Sequence, residues 1–144
     1  MLLIDINILV DIITERSGYY PSLVLIDLIR KKKFKGFISP LTVATTWYLI
    51  SKDKGEVEAK KHIIKLIKGL EIIDLTKDIV ENALNLEQKD IEDSIQALSA
   101  FKAKCTHIIT RDKSGFSAHE SKIKVMTPQE FLDEEGISWS KKKE

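Results

Sequence analysis

The chain opens with Leu2-Leu3-Ile4, an apolar run with no polar alternation, and ends that run with Asp5. A short continuous apolar run reads as a strand buried on both faces, and such strands belong to parallel sheets covered by helices. Asp5 then falls at or just past the carboxyl end of the strand. In open parallel α/β sheets, that edge is where ligands bind. A carboxylate placed there either caps the next helix or does chemistry.

The rest of the chain repeats the alternation of strand and helix. A short helix is expected over residues 7–15, broken by Ser17-Gly18. Leu23, Leu25, Ile26, Leu28 and Ile29 follow Pro21-Ser22 as a second helical stretch, which runs into Arg30-Lys31-Lys32-Lys33-Phe34-Lys35. Those cations suit the negative end of a helix dipole; the sharper reading is a phosphate-contacting patch. Phe37-Ile38 reads as a second strand, and Ser39-Pro40 as the cap and first position of a helix through residue 51. An amphipathic helix is expected over residues 56–68, stopped by Gly69, then a strand over 71–75. Thr76 caps a helix to about Gln88, and Asp90 opens another to about residue 104. Thr106 to Thr110 reads as a fourth strand, Lys113 to Phe116 as a loop, and Lys124 to Met126 as a fifth strand. Thr127-Pro128-Gln129-Glu130 is a capping box that starts a last helix over 129–135. The expectation is an α/β fold: a mostly parallel five-stranded sheet flanked by helices. Only 6 Gly and 3 Pro argue against a turn-rich β sandwich, and 144 residues favour one domain.

Composition narrows the setting. A net charge of +1 neither demands nor excludes a polyanionic partner. The single cysteine, Cys105, excludes an internal disulfide and a thiolate zinc cluster, and suits a reducing, cytoplasmic environment. The apolar N-terminus lacks a basic leader and is interrupted by Asp5, Asn7 and Asp11, so it is not read as a signal peptide. No run approaches the roughly 18 apolar residues of a membrane span, so no membrane association is expected.

Acidic residues recur at comparable places. Asp5 ends the first strand, Asp112 follows the fourth, and Asp90 and Asp93 share a face at the start of the helix that feeds the fourth. Each has a local explanation. Asp5 or Asn7 can cap the first helix, Asp90 its own, and Asp112 can close a turn in Arg111-Asp112-Lys113-Ser114-Gly115. Those explanations do not account for acids gathered on one edge. Two carboxylates ~4 Å apart repel by roughly 4 kcal/mol at an effective dielectric of 20, so such a group needs a counter-ion or a proton. An all-oxygen donor set selects Mg²⁺ or Mn²⁺, which can activate water and steady a phosphodiester. His62, His107 and His119 are scattered and suggest no ligand pair; His107, inside a strand, reads as a packed residue.

These residues resemble the motifs of a known family. Asp5-Ile6-Asn7-Ile8-Leu9-Val10-Asp11 is similar to the D-x-N-x-L-x-D opening of PIN domains. Ile38-Ser39-Pro40-Leu41-Thr42-Val43 resembles the second strand and following helix, and Asp90-Ile91-Glu92-Asp93-Ser94-Ile95-Gln96-Ala97 resembles a D-x-x-D-A-x-Q helix start. Ile108-Ile109-Thr110-Arg111-Asp112, with Phe116, resembles the T-x-D…F segment. The resemblance spans roughly residues 2–130. It implies a single Rossmann-like, PIN-type domain over residues 1–137, with 138–144 as a frayed basic tail. It also implies a Mg²⁺-dependent endoribonuclease acting on single-stranded RNA. The VapC-type toxin branch is the nearest in pattern, which implies a small antitoxin partner and a homodimer. Carried over by position, Asp5, Asp93 and Asp112 would be the metal ligands and catalytic acids, with Asp90 an extra acid beside Asp93. Asn7 and Thr110 would orient ligands.

The pattern departs from the family in two places. The Glu usual in the helix after the second strand falls on Thr45, with Thr46 beside it, and a further acid common near the last motif is Ser114. Thr45 then stands where it could only donate a hydrogen bond to substrate. This departure leaves open a catalytically weakened module that binds RNA or an antitoxin-like partner without cleaving it. Exposed apolar residues around Trp47, Tyr48 and Leu49 would serve such a partner. A receiver-like phosphoacceptor domain, with Asp74 as acceptor, fits less well because Asp5 has no adjacent partner acid.

Overall fold

The structure is a computed structural model and describes residues 1–87 and 90–140. Strands β1 (Leu2–Ile4), β2 (Gly36–Ile38), β3 (Leu70–Ile72), β4 (His107–Ile109) and β5 (Lys124–Met126) form one sheet in the order β3-β2-β1-β4-β5. Every pairing is parallel, with Leu2 opposite Gly36 on one side and His107 on the other. The sheet is therefore wholly parallel, where the sequence suggested mostly.

Seven helices flank it among the described residues: α1 (Ile6–Thr14), α2 (Tyr20–Arg30), α3 (Pro40–Lys54), α4 (Glu56–Leu66), α5 (Lys77–Leu84), α6 (Ile91–Lys102) and α7 (Pro128–Glu134). The alternation of side chains along a strand divides the core in two. Leu2 and Ile4 face a cluster built with Ile8, Leu9, Ile26, Phe131 and Leu132 from α1, α2 and α7. Leu3 faces the opposite cluster, with Ala97 and Ala100 of α6 and Phe116. Both faces of β1 are covered, which is why its three residues show no polar alternation.

Local chemistry sets the boundaries. Ser39 Oγ accepts from the Leu41 amide with Pro40 at the first helical position, and Thr127 Oγ1 accepts from the Glu130 amide ahead of α7. Helix α3 overshoots its expected end at residue 51 and stops at Gly55, whose φ of 84° is left-handed. Helix α5 stops at Leu84, short of the expected end, which lies outside the described residues. The segment expected as a loop after Asp112 is a 3-10 helix, Lys113–His119, which buries Phe116 and His119. Trp139, in the segment expected to fray, packs against the first core cluster and donates its indole N–H to Asp133 Oδ1 at 2.7 Å. Residues 141–144 of that expected tail lie outside the described residues.

The strand order reverses at β1. The chain winds outward through β2 and β3, then crosses back to place β4 and β5 on the other side of β1. The carboxyl ends of β1 and β4 thus flank the topological switch point, the crevice where open α/β sheets take ligands.

Candidate active site

Asp5 leaves β1 at this crevice and is only 5% exposed. It caps α1 by accepting the Ile6 amide on Oδ1 at 2.8 Å. The same oxygen accepts from Gln96 Nε2 at 3.0 Å, while Oδ2 accepts from Thr110 Oγ1 at 2.8 Å and Asn7 Nδ2 at 3.2 Å. Asp5 is therefore a helix cap and, in the same place, a buried carboxylate at the ligand-binding edge of the sheet. Burial raises the Asp5 pKa and outweighs the donors on its oxygens; the Asp112 carboxylate adds to the rise.

Asn7 and Thr110 bridge the two strand ends. Asn7 Nδ2 lies 3.1 Å from Thr110 Oγ1, and Asn7 Oδ1 accepts the Arg111 amide at 3.1 Å. Thr110 is fully buried, and its hydroxyl oxygen also accepts the Asp112 amide at 3.1 Å. Asp112 itself is exposed, and its Oδ1 accepts from the Ser114 hydroxyl, so the position of the second missing acid ties Asp112 into its turn.

The third segment is the start of α6. Asp90 is its N-cap, with Oδ1 accepting the amides of Glu92 at 2.9 Å and Asp93 at 3.2 Å. Asp93 is half-buried, and burial and the charges of Asp90, Asp5, Glu92 and Asp112 push its pKa up to about 7. Glu92 is raised too, by burial and then by Asp5 and Asp90. A Cβ on Gly115 would collide with Asp93 Oδ2, so the turn after Asp112 lies directly against the α6 acid. Asp5, Asp93 and Asp112 thus belong to one electrostatic group although they come from three distant stretches of chain.

Two site features are not in the sequence-derived set. Gln96, the last polar residue of the α6 motif, is buried and holds Asp5. Its spacing from Asp93 was the available signal. Arg111 pairs with Asp11 at 2.7 Å rather than with the adjacent Asp112. The reason is that Asp11 is wholly buried and requires a cation. Thr45 is half-buried on α3, and among the described residues no hydrogen bond joins it to the acids. Thr46 spends its hydroxyl on the Thr42 carbonyl at 2.6 Å. His107 is packed edge-on to Phe131 and takes no part in the site.

The donor set suits a hard divalent ion. It is all oxygen, its charges oppose one another, and the Glu92 Oε1 and Gln96 Oε1 acceptors are buried without a partner among the described residues. Among the described residues no three His, Cys, Asp or Glu side chains are placed to hold a metal ion between them. Mg²⁺ needs no such trio, since it is commonly held by one or two carboxylates and keeps several waters.

Comparison with known proteins bears on the same stretch. A PIN domain family model matches residues 1–114. Ribonuclease VapC1 of Aquifex aeolicus is 34% identical over 137 residues, covering 90% of this chain and 92% of that relative. A toxin-antitoxin complex from Klebsiella pneumoniae superposes with a TM-score of 0.64 at 22% identity, covering 89% of this chain and 98% of that one. VapC20 of Mycobacterium tuberculosis, described as a sarcin-ricin loop cleaving toxin, gives 0.61 at 15% identity, covering 82% and 95%. The solved structures share the five-stranded parallel fold; the family match extends from β1 through Asp112, and by it this chain belongs to the PIN-domain family.

Proposed function

We propose that this chain is a divalent-metal-dependent endoribonuclease and the toxin of a toxin–antitoxin pair, acting on single-stranded RNA in the cytoplasm. The observation that carries the reading is the gathering of Asp5, Asp93 and Asp112 at the switch point, where the Asp112 carboxylate opposes ionisation of Asp5 and both oppose that of Asp93. The relative with 34% identity is named a ribonuclease, and solved relatives include toxin-antitoxin complexes. An antitoxin is the partner this reading assigns, and a homodimer is the assembly. Among the described residues no helix is long and apolar enough to cross a membrane.

In this reading Asp5, Asp93 and Asp112 would hold Mg²⁺ or Mn²⁺, directly or through the waters the ion keeps. The ion, when bound, neutralises charge developing on a phosphodiester and lowers the pKa of a water. Asn7, Gln96 and Thr110 keep the Asp5 carboxylate in one orientation by occupying both its oxygens, as groups behind a ligand do. In the metal-free site the Asp93 pKa is raised to about 7, so an ion would compete there with a proton. Asp90 has committed one oxygen to its cap and contributes charge more than coordination.

The test is cleavage of a fluorescent single-stranded RNA with Mg²⁺ or Mn²⁺, alongside EDTA and Asp5→Asn controls. Metal-dependent cleavage that disappears in Asp5→Asn is the expected outcome; wild-type rates in Asp5→Asn would rule the mechanism out. Thr45 favours a second reading, a module that binds without cutting. A silent wild type made active by Thr45→Glu would establish that one.

A further inference from the structure

The Asp11–Arg111 pair has no part in the chemistry described above, yet it is built as carefully as the site. Asp11 has no solvent exposure, while Arg111 is 36% exposed. Asp11 Oδ1 accepts from Arg111 Nη1 at 2.7 Å; Arg16 Nη1, at 3.9 Å, is beyond hydrogen-bond reach. Asp11 Oδ2 has no partner among the described residues, so Arg111 is the main compensation for a buried charge. A buried carboxylate robbed of its partner is costly, so the guanidinium is committed to Asp11 and is a poor candidate for a contact with phosphate.

Asn7 and Asp11 are four residues apart on α1 and lie on one face. Both reach residue 111: Asn7 Oδ1 takes its amide and Asp11 its guanidinium. Arg111 is thereby held at both ends by a single helix. Its two neighbours in sequence are the site itself, since Thr110 donates to Asp5 and the Asp112 amide donates to Thr110. Asp112 is exposed, so packing does little to fix it.

We infer that the Asp11–Arg111 ion pair is a positioning device that locks the 111–112 peptide to α1 and so sets Asp112 against Asp5 and Asp93. The inference rests on the metal-centre reading above. Arg111 acts through Asp112 and makes no contact with RNA.

The experiment compares the full-length wild type with Asp11→Asn, Arg111→Lys and the double variant Asp11→Leu/Arg111→Met. Four quantities are read: Mn²⁺ affinity by titration, amide exchange at Arg111 and Asp112, melting temperature, and KM for RNA. Asp11→Asn is expected to weaken Mn²⁺ binding about 10–100-fold, as loss of groups behind a ligand does, to speed exchange at both amides, and to leave KM unchanged. The double variant exchanges a buried ion pair for apolar groups, a replacement that is often neutral for stability. It should melt near the wild type yet bind Mn²⁺ as weakly as Asp11→Asn. Wild-type affinity in Asp11→Asn or the double variant would make the pair merely structural and overturn the inference. So would Arg111→Lys raising KM with Mn²⁺ affinity unchanged, since Arg111 would then be touching RNA. A wild type that fails to bind Mn²⁺ sinks the metal centre and this inference together, whereas equal binding by wild type and variants sinks this inference alone.

Discussion

Asp93 is the residue whose chemistry is most visible at neutral pH. Its pKa is raised to about 7 by burial and by four neighbouring acids, and Asp5 shifts in the same direction. In the unfolded chain both return to the ordinary aspartate range near 4. Between those values the folded protein binds more protons than the unfolded one, so stability falls as pH rises. The metal-free protein should melt at a higher temperature at pH 5 than at pH 8. Asp93→Asn should flatten that dependence, and thermal melts across the pH range check both. Mn²⁺ affinity should show the opposite trend, tightening as pH rises through about 7, because the ion competes with a proton at Asp93; metal titrations across the pH range check this. Asp5 and Asp112 were legible from the sequence because a strand end can be read from a local apolar run. The Asp11–Arg111 pair was not, because it joins residues 100 apart and nothing local distinguishes Asp11 from a surface helix acid.

At the scale of elements, the start of α6 separates two roles that a sequence motif runs together. Asp90 and Asp93 look equivalent as letters, but Asp90 accepts two amides at the helix end while Asp93 faces the other acids. Asp90→Ala should cost about 1 kcal/mol of stability through the lost cap, whereas Asp90→Ser should restore it without the charge. If Asp90 only caps, Asp90→Ser cleaves RNA like the wild type; a loss of rate with stability intact would show that its carboxylate also serves the site. Caps were the most legible features of the chain, since Ser39-Pro40 and Thr127-Pro128 act within a single turn. The 3-10 helix after Asp112 was less so. Its Lys-Ser-Gly start reads as a loop, and what orders it is the burial of Phe116 against α6 and the sheet.

For the molecule as a whole, the crevice gathers like charges, and among the described residues no cation pairs with Asp5, Asp93 or Asp112, so binding of an ion should show in global stability. At a Mn²⁺ concentration 100-fold above its Kd, the stabilisation is about 2.7 kcal/mol. A rise in melting temperature with Mn²⁺ that is absent in Asp5→Asn is the expected result; an identical rise in both would locate the ion elsewhere. The parallel sheet was legible from the alternation of elements, but the strand order was not. Neighbouring strands that are distant in sequence leave no local trace, and β1 finds β4 only through the fully folded core.

That strand order governs when the crevice can assemble. Leu2 pairs with His107, and Asp5 is held by Thr110, so the first strand waits for the far end of the chain before its crevice has a second wall. Closing so long a span is among the slow steps of folding. A chain still being synthesised, or any fragment ending before residue 112, lacks the Asp112 carboxylate and the turn that supports it. If the chain cuts RNA, the ribosome making it is spared until the segment around Asp112 has emerged.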